Sequence, residues 1–341
     1  MAISAARDWS AKRLAIVGAG SWGTALTIAL ASRFEAVTLW ARDETRACEM
    51  QLSRENRRYL PGFLLPPNVS ISSDALALNA PDIVLIVTPS AYLRNTLNML
   101  RQYIAPGTRI VSATKGLELN TLARMSQVIR DMLRDSDSMP IAVLSGPTFA
   151  KEIAAGEPAA VVVASDDIAI AEDIQRAFAT PALRLYASTD VAGVEVGAAL
   201  KNVIAIGAGI CGGLGLGSNS IAALVTRGLA EITRIAVTMG GSPRTLSGLA
   251  GLGDLVLTST GELSRNRFVG VQLGHGHKLD RILSEMTMVA EGVGTCRAAH
   301  QLGIERGVEL PIIDQMYEVL YEAKDPRQAI RELMDRPLTS E

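Results

Sequence analysis

The stretch Arg13-Leu-Ala-Ile-Val-Gly18-Ala-Gly20-Ser21-Trp22-Gly23-Thr24-Ala25 decides the fold. An apolar run ends in glycine, as a short buried strand does, and the alanine-rich segment Ser21–Ser32 has helical spacing. Between them lies G-x-G-x-x-G, in which each glycine has its own task. Gly18 makes a tight turn, Gly20 lets the backbone approach a pyrophosphate, and Gly23 lets helix and strand pack closely. Ser21, Trp22 and Gly23 open the helix, whose N-terminus offers free N–H groups and a partial positive charge to phosphates. Taken alone, the motif also reads as an ordinary tight turn. The strand before it, the helix after it and its place at the N-terminus favour a dinucleotide site.

Working outward, Ala36–Trp40 reads as a second strand, followed by Arg42 and Asp43. An acidic residue about 20 positions past the glycines favours NAD through the ribose hydroxyls, whereas an arginine accommodates the 2′-phosphate of NADP. With both side by side the cofactors expected are NADP(H) and/or NAD(H), leaning to NADPH through Arg42; a plain surface charge is the alternative for that arginine. Further strand candidates are Ile83–Val87, Arg109–Ala113, Ile141–Leu144 and Ala160–Ala164, with Leu183–Tyr186 at the edge. Helical patterns at Leu93–Tyr103 and Leu122–Leu133 alternate with them, which argues for a parallel sheet covered on both faces. From Val191 the texture turns to Ala, Leu, Gly and Met at helical spacing, with helices expected over Val191–Gly209, Ser220–Met239, Ser264–Leu273 and Pro311–Glu322. The side chains of Ser188–Thr189–Asp190 suit a helix N-cap, so the boundary is placed there. The fold class is therefore an α/β N-terminal Rossmann domain with a mostly parallel sheet, residues 1–190, followed by an all-α C-terminal domain, residues 191–341.

Bulk properties narrow the function. The 341 residues carry 33 basic and 35 acidic side chains, a net charge of −2, so no global basic field invites nucleic acid. An anionic ligand must then be met by a local cationic site. Cys48, Cys211 and Cys296 are few and widely spaced, which argues against a disulfide framework or zinc site and suits a reducing, cytoplasmic setting. Residues Met1 to Arg13 lack the apolar stretch of a signal peptide. The longest apolar run, Val203 to Gly217, is glycine-rich and reads as a buried helix rather than a membrane span. His275-Gly-His277 offers too few ligands for a zinc site, so no metal is expected. Arg267, Glu305–Glu309 and Lys324–Arg327 read as surface charges.

Several residues carry chemistry. Lys201 lies in an apolar helical segment, where an unpaired lysine is costly and a snorkelling one is the competing reading. Lys115 follows the Arg109–Ala113 strand, at the end where open α/β sheets bind ligands. Asp254, in Gly-Leu-Gly-Asp, reads alone as a helix N-cap. Gly146-Pro147 reads alone as a turn. In Ser264-Arg265-Asn266 an arginine, a hydroxyl and an amide can grip a phosphate, with charge-assisted bonds of roughly 1.5–3 kcal/mol each.

The segments Gly18–Ala25, Ala113–Glu118, Leu144–Glu152, Glu195–Gly207, Gly248–Leu255, Ser264–Arg267 and Val289–Gly292 occur in one order along the chain. Through them the sequence resembles the NAD(P)-dependent glycerol-3-phosphate dehydrogenase family, bacterial type. The resemblance implies reversible reduction of dihydroxyacetone phosphate to sn-glycerol 3-phosphate, supplying glycerophospholipid synthesis, by a cytoplasmic homodimer. It implies Lys201 as the proton donor and acceptor, with Lys115 and Asp254 as further catalytic groups. Substrate contacts would come from Lys115, Gly146, Thr148, Lys201, Asp254, Ser264, Arg265 and Asn266. Cofactor contacts would add Lys115, Ala150, Arg265, Val289 and Glu291 to the glycine turn and Arg42. Asn202 is expected to help order the site. Competing readings are a relative acting on another ketone, such as a 2-keto acid or sugar phosphate, and a nucleotide sensor without turnover.

Overall fold

The computed structural model describes residues 8–78, 80–133 and 139–338. They form two compact units, one of Met1–Thr114 with Met125–Val191, the other of Lys115–Arg124 with Ala192–Glu341. A single cut near residue 190 thus misses a short segment, Lys115–Arg124, that groups with the later residues.

The first unit is built on an eight-stranded sheet. Its strands are β1 (Arg13–Val17), β2 (Ala36–Trp40), β5 (Val69–Ser72), β6 (Ile83–Ile86), β7 (Arg109–Ser112), β8 (Ile141–Ser145), β9 (Ala159–Ala164) and β10 (Leu183–Ser188). A small hairpin of β3 (Glu55–Asn56) and β4 (Leu60–Leu64) stands apart. The sheet order is β10-β9-β8-β7-β6-β1-β2-β5, parallel throughout except between β8 and β9. β6 and β8 are buried along their whole length, as strands covered on both faces must be. Helices α1 (Ser21–Leu30), α2 (Glu44–Ser53), α3 (Leu93–Leu100), α4 (Met125–Met132), α5 (Ala150–Ala155) and α6 (Ile168–Phe178) complete the unit. From β1 the chain adds β2 on one side and later returns to β6 on the other, so the topological switch point lies between β1 and β6.

Two elements differ from the sequence reading for clear reasons. β5 is an edge strand with alternating burial, so it shows no continuous apolar run. The helix expected from Leu122 begins only at Met125, because Leu122 has φ +55° and Leu117 forms a β-bridge with Arg124.

The second unit is helical: α7 (Val191–Gly213), α8 (Ser218–Thr238), α9 (Pro243–Leu246), α10 (Asp254–Thr260), α11 (Arg265–Gly274), α12 (Leu279–Glu285), α13 (Glu291–Arg306), α14 (Pro311–Tyr321) and α15 (Pro326–Met334). A π-helical turn, Leu249–Gly253, leads into α10. α7 runs one turn past Gly209 because its glycines are packing positions rather than a stop. A Cβ on Gly209 would lie 2.0 Å from the Arg267 carbonyl oxygen, and one on Gly270 would lie 1.9 Å from that of Ile206. α7 and α11 therefore touch backbone to backbone. In length and apolarity α7 is able to cross a membrane, yet all of its most apolar window is buried inside the protein. The buried Glu231 of α8 accepts the Ile312 and Ile313 N–H groups, at 2.7 and 3.1 Å, and so caps the first turn of α14.

Candidate active site

In the first unit the glycine turn is a piece of bare backbone. Gly18 has φ +120°, and a Cβ there would meet the Val87 carbonyl oxygen at 2.8 Å, which only glycine tolerates. A Cβ on Gly23 would lie 1.9 Å from the Gly18 oxygen, whereas one on Gly20 would meet nothing within 4 Å. Two positions are closed by packing and the middle one is open, the arrangement a pyrophosphate needs. Gly20 is the N-cap of α1, which has neither a side-chain cap nor an acidic residue in its first turn. Its orphan N–H groups, Ser21's and Trp22's among the first, are left for an anion. Asn56 braces the loop, donating to the Ala19 oxygen at 3.0 Å and the Thr24 hydroxyl at 2.7 Å.

Beyond β2, exposed Arg42 lies over the Tyr92 ring at 5.7 Å. Asp43 is committed elsewhere. It is the N-cap of α2, with Oδ1 accepting the Arg46 N–H at 3.0 Å and Oδ2 3.6 Å from Arg46 Nε. At the end of β8, Gly146 takes φ +156° close to Val161, Thr148 donates to the Gly146 oxygen at 3.2 Å, and Ala150 starts α5.

In the second unit three charged side chains converge. Asp254, fully buried as the first residue of α10, accepts from Lys201 Nζ at Oδ1 and from Lys115 Nζ at Oδ2, the latter at 2.9 Å. Lys201 Nζ also lies 2.9 Å from the Thr258 hydroxyl, which itself donates to the Asp254 backbone oxygen at 2.7 Å. One carboxylate thus lies between two lysine amino groups. Burial is the main force on Lys201 and pushes its pKa down to about 7; Asp254 opposes this and Lys115 adds to it. The lysine therefore does not snorkel to the surface, and Asp254 is not a solvent-facing cap.

Ser264 is the N-cap of α11, its Oγ accepting the Arg267 N–H at 3.2 Å. Arg265 Nη1 donates to the Val289 oxygen at 2.8 Å; burial lowers its pKa and Glu291 opposes that. Asn266 Nδ2 donates to Asn202 Oδ1 at 2.9 Å, and its own Oδ1 accepts the Gly292 N–H at 2.9 Å. An amide carries two donors, so one Asn266 N–H is not used in these contacts. Val289 is half-exposed and Glu291 opens α13.

Two surface readings need correction. Arg267 packs beside the glycines of α7, and its Nε is buried with no hydrogen-bond partner among the described residues. Lys324 is 12 % exposed because it joins α14 to α15 through Glu318 and Glu332. Sequence reasoning missed Thr258, which lies four residues after Asp254 and so on the same face of a helix, a signal the spacing carries. It also missed the buried pair Arg124–Glu195, for which spacing carries none.

Both parts of the chain match the family described as NAD-dependent glycerol-3-phosphate dehydrogenase, its N-terminus over residues 13–171 and its C-terminus over residues 190–331. The chain belongs to this family. A glycerol-3-phosphate dehydrogenase [NAD(P)+] of Geobacter sulfurreducens is 50% identical over 97% of this chain and 99% of its own. One from Koribacter versatilis is 50% identical over 96% of this chain and 98% of its own. The crystal structure of a Coxiella burnetii glycerol-3-phosphate dehydrogenase superposes with a TM-score of 0.91 at 38% identity, covering 96% of this chain and 99% of that one. The family is NAD(P)-dependent, and the open Gly20 backbone and uncapped α1 fit a dinucleotide.

Proposed function

We propose that this chain reduces dihydroxyacetone phosphate to sn-glycerol 3-phosphate, reversibly, with NADPH or NADH. The observation that carries the reading is the buried carboxylate of Asp254 shared between Lys201 and Lys115. A bound reduced nicotinamide supplies the hydride; the chain supplies everything else. Lys201, with a pKa near neutrality, donates the proton to the carbonyl oxygen and takes it back in the reverse reaction. Asp254 holds both ammonium groups in place, and Lys115 stabilises the negative charge that develops on oxygen. Ser264, Arg265 and Asn266 grip the phosphate, with Gly146 and Thr148 as further substrate contacts. Arg42, Lys115, Ala150, Arg265, Val289 and Glu291 serve the cofactor with the glycine turn. A cytoplasmic homodimer supplying glycerophospholipid synthesis completes the proposal.

The test is oxidation of NADPH, and separately NADH, by purified protein given dihydroxyacetone phosphate, with unphosphorylated dihydroxyacetone and a 2-keto acid beside it. Turnover confined to the phosphorylated ketone supports the reading. Folded protein that binds NADPH and turns over only the 2-keto acid, or nothing, overturns it.

A further inference from the structure

Lys115 begins a segment that belongs to the helical unit although its neighbours on both sides belong to the sheet. Three kinds of contact hold Lys115–Arg124 there. At its start the ammonium group meets Asp254 at 2.9 Å. In its middle, buried Leu117 and Leu122 join the apolar cluster of Val196, Leu200 and Leu255. At its end Arg124 Nη1 lies 2.6 Å from Glu195 Oε2, with the two side chains only 12 % and 5 % exposed. Glu195 and Lys201 share α7, and the Leu117–Arg124 bridge ties the two ends of the segment together.

A buried ion pair is poor evidence for stability, because desolvation offsets most of the attraction; its best-attested use is to fix register. Here the register it fixes is that of a long, flexible lysine. We propose that Arg124 and Glu195 are a positioning pair that holds Lys115 against Asp254 and so sets the charge balance around Lys201. This rests on reading Lys201 as the proton donor.

Among the described residues, the charged groups facing Lys201 are Asp254 and Lys115, with neutral Thr258 beside them. Withdrawing Lys115 removes a like charge and leaves the Asp254 carboxylate to Lys201 alone. Both changes favour the charged lysine, so its proton affinity rises. Loss of the tether therefore slows turnover and moves the pH dependence of reduction in a known direction.

The experiment compares the full-length enzyme with Arg124→Met, Glu195→Gln, the double variant and Arg124→Lys. The readouts are kcat/KM for dihydroxyacetone phosphate with NADPH between pH 5.5 and 9.5, and thermal melts. Each single change is expected to lower kcat/KM by about 10–100-fold, the scale of a misplacement near 1 Å. It should also move the alkaline limb upward by about one pH unit. The double variant should be no worse than either single one, since the two residues act as one unit. Arg124→Lys, which keeps the charge, should recover most of both effects. An activity loss that leaves the limb in place, or single effects that simply add in the double variant, overturns the proposal. If Arg124→Met does not fold, Glu195→Gln carries the same test. A wild-type profile flat through pH 7 removes the proton-donor reading itself and this proposal with it, an outcome distinct from a wild-type limb that the variants fail to move.

Discussion

The Gly18–Gly23 turn and the Lys115–Lys201–Asp254 cluster are built in opposite ways. The turn works by lacking side chains: it is backbone from one short stretch, closed at Gly18 and Gly23 and open at Gly20. The cluster works through side chains drawn from far apart, Asp254 lying 139 residues from Lys115 and 53 from Lys201. Their energetics differ as well. A glycine costs up to about 1 kcal/mol in chain entropy. A buried lysine and carboxylate cost several kcal/mol of desolvation each, recovered only where partners are well placed. A local backbone site is therefore cheap and modular, whereas a charged site needs the whole unit folded around it.

The largest expected effect separates the two regions. Lys201→Ala should lower kcat for reduction by about 10²–10⁴-fold, the usual worth of a positioned general acid, while NADPH affinity, read by fluorescence titration, stays within about twofold. A loss below about tenfold would falsify the role given to Lys201. Next in size is a pair of changes inside the turn. Gly23→Ala forces a Cβ to 1.9 Å from a backbone oxygen, so both the melting temperature and NADPH binding should fall. Gly20→Ala meets no protein atom within 4 Å, so stability without cofactor should hold within about 0.5 kcal/mol. Its NADPH affinity should nonetheless drop roughly tenfold or more, about 1.4 kcal/mol. Equal melting losses in both variants would show that Gly20, too, is a packing glycine.

The same contrast explains what the sequence made legible. Strand, turn and helix around Gly18 follow from spacing within a few residues, so each glycine's task is readable there. Fully buried strands such as β6 announce themselves by composition; edge strand β5, half polar, does not. For the cluster, spacing alone left Lys201 undecided between a buried and a snorkelling lysine and made Asp254 an ordinary cap. Only the family resemblance joined them. What decides is that both are buried, and burial is a property of the fold rather than of local pattern. For this reason spacing gives no role to Arg124 or Glu195 and makes Arg267 a surface charge: a charged residue in sequence looks like surface until its surroundings are known.

A smaller, graded effect is expected from pH. Burial holds Lys201 near a pKa of about 7. Below that value the lysine carries the proton that reduction consumes; above it the proton is lost. The rate of reduction should thus fall as pH rises through about 7, approaching tenfold per unit, while oxidation of sn-glycerol 3-phosphate rises over the same range. Steady-state rates in both directions across pH 5.5–9.5 check this, and limbs of the same sign in the two directions would contradict it.

The smallest effect lies at Arg42, where the choice between the two cofactors would rest on a side chain rather than on backbone. Both Asp43 carboxylate oxygens face Arg46, one of them as the N-cap of α2, so the acid that would receive the ribose hydroxyls of NADH is already engaged. Arg42 is exposed, with its guanidinium 5.7 Å from the Tyr92 ring centroid, and an exposed arginine there suits a 2′-phosphate. An exposed, screened contact of this kind is worth about 1 kcal/mol. Arg42→Ala should therefore raise KM for NADPH by roughly fivefold and leave KM for NADH within about twofold, as read from the two cofactors side by side. An equal rise for both would mean that Arg42 serves the adenine face shared by the two nucleotides. Discrimination would then rest on the Asp43–Arg46 pair, where Asp43→Asn, which weakens the cap, should shift the ratio instead.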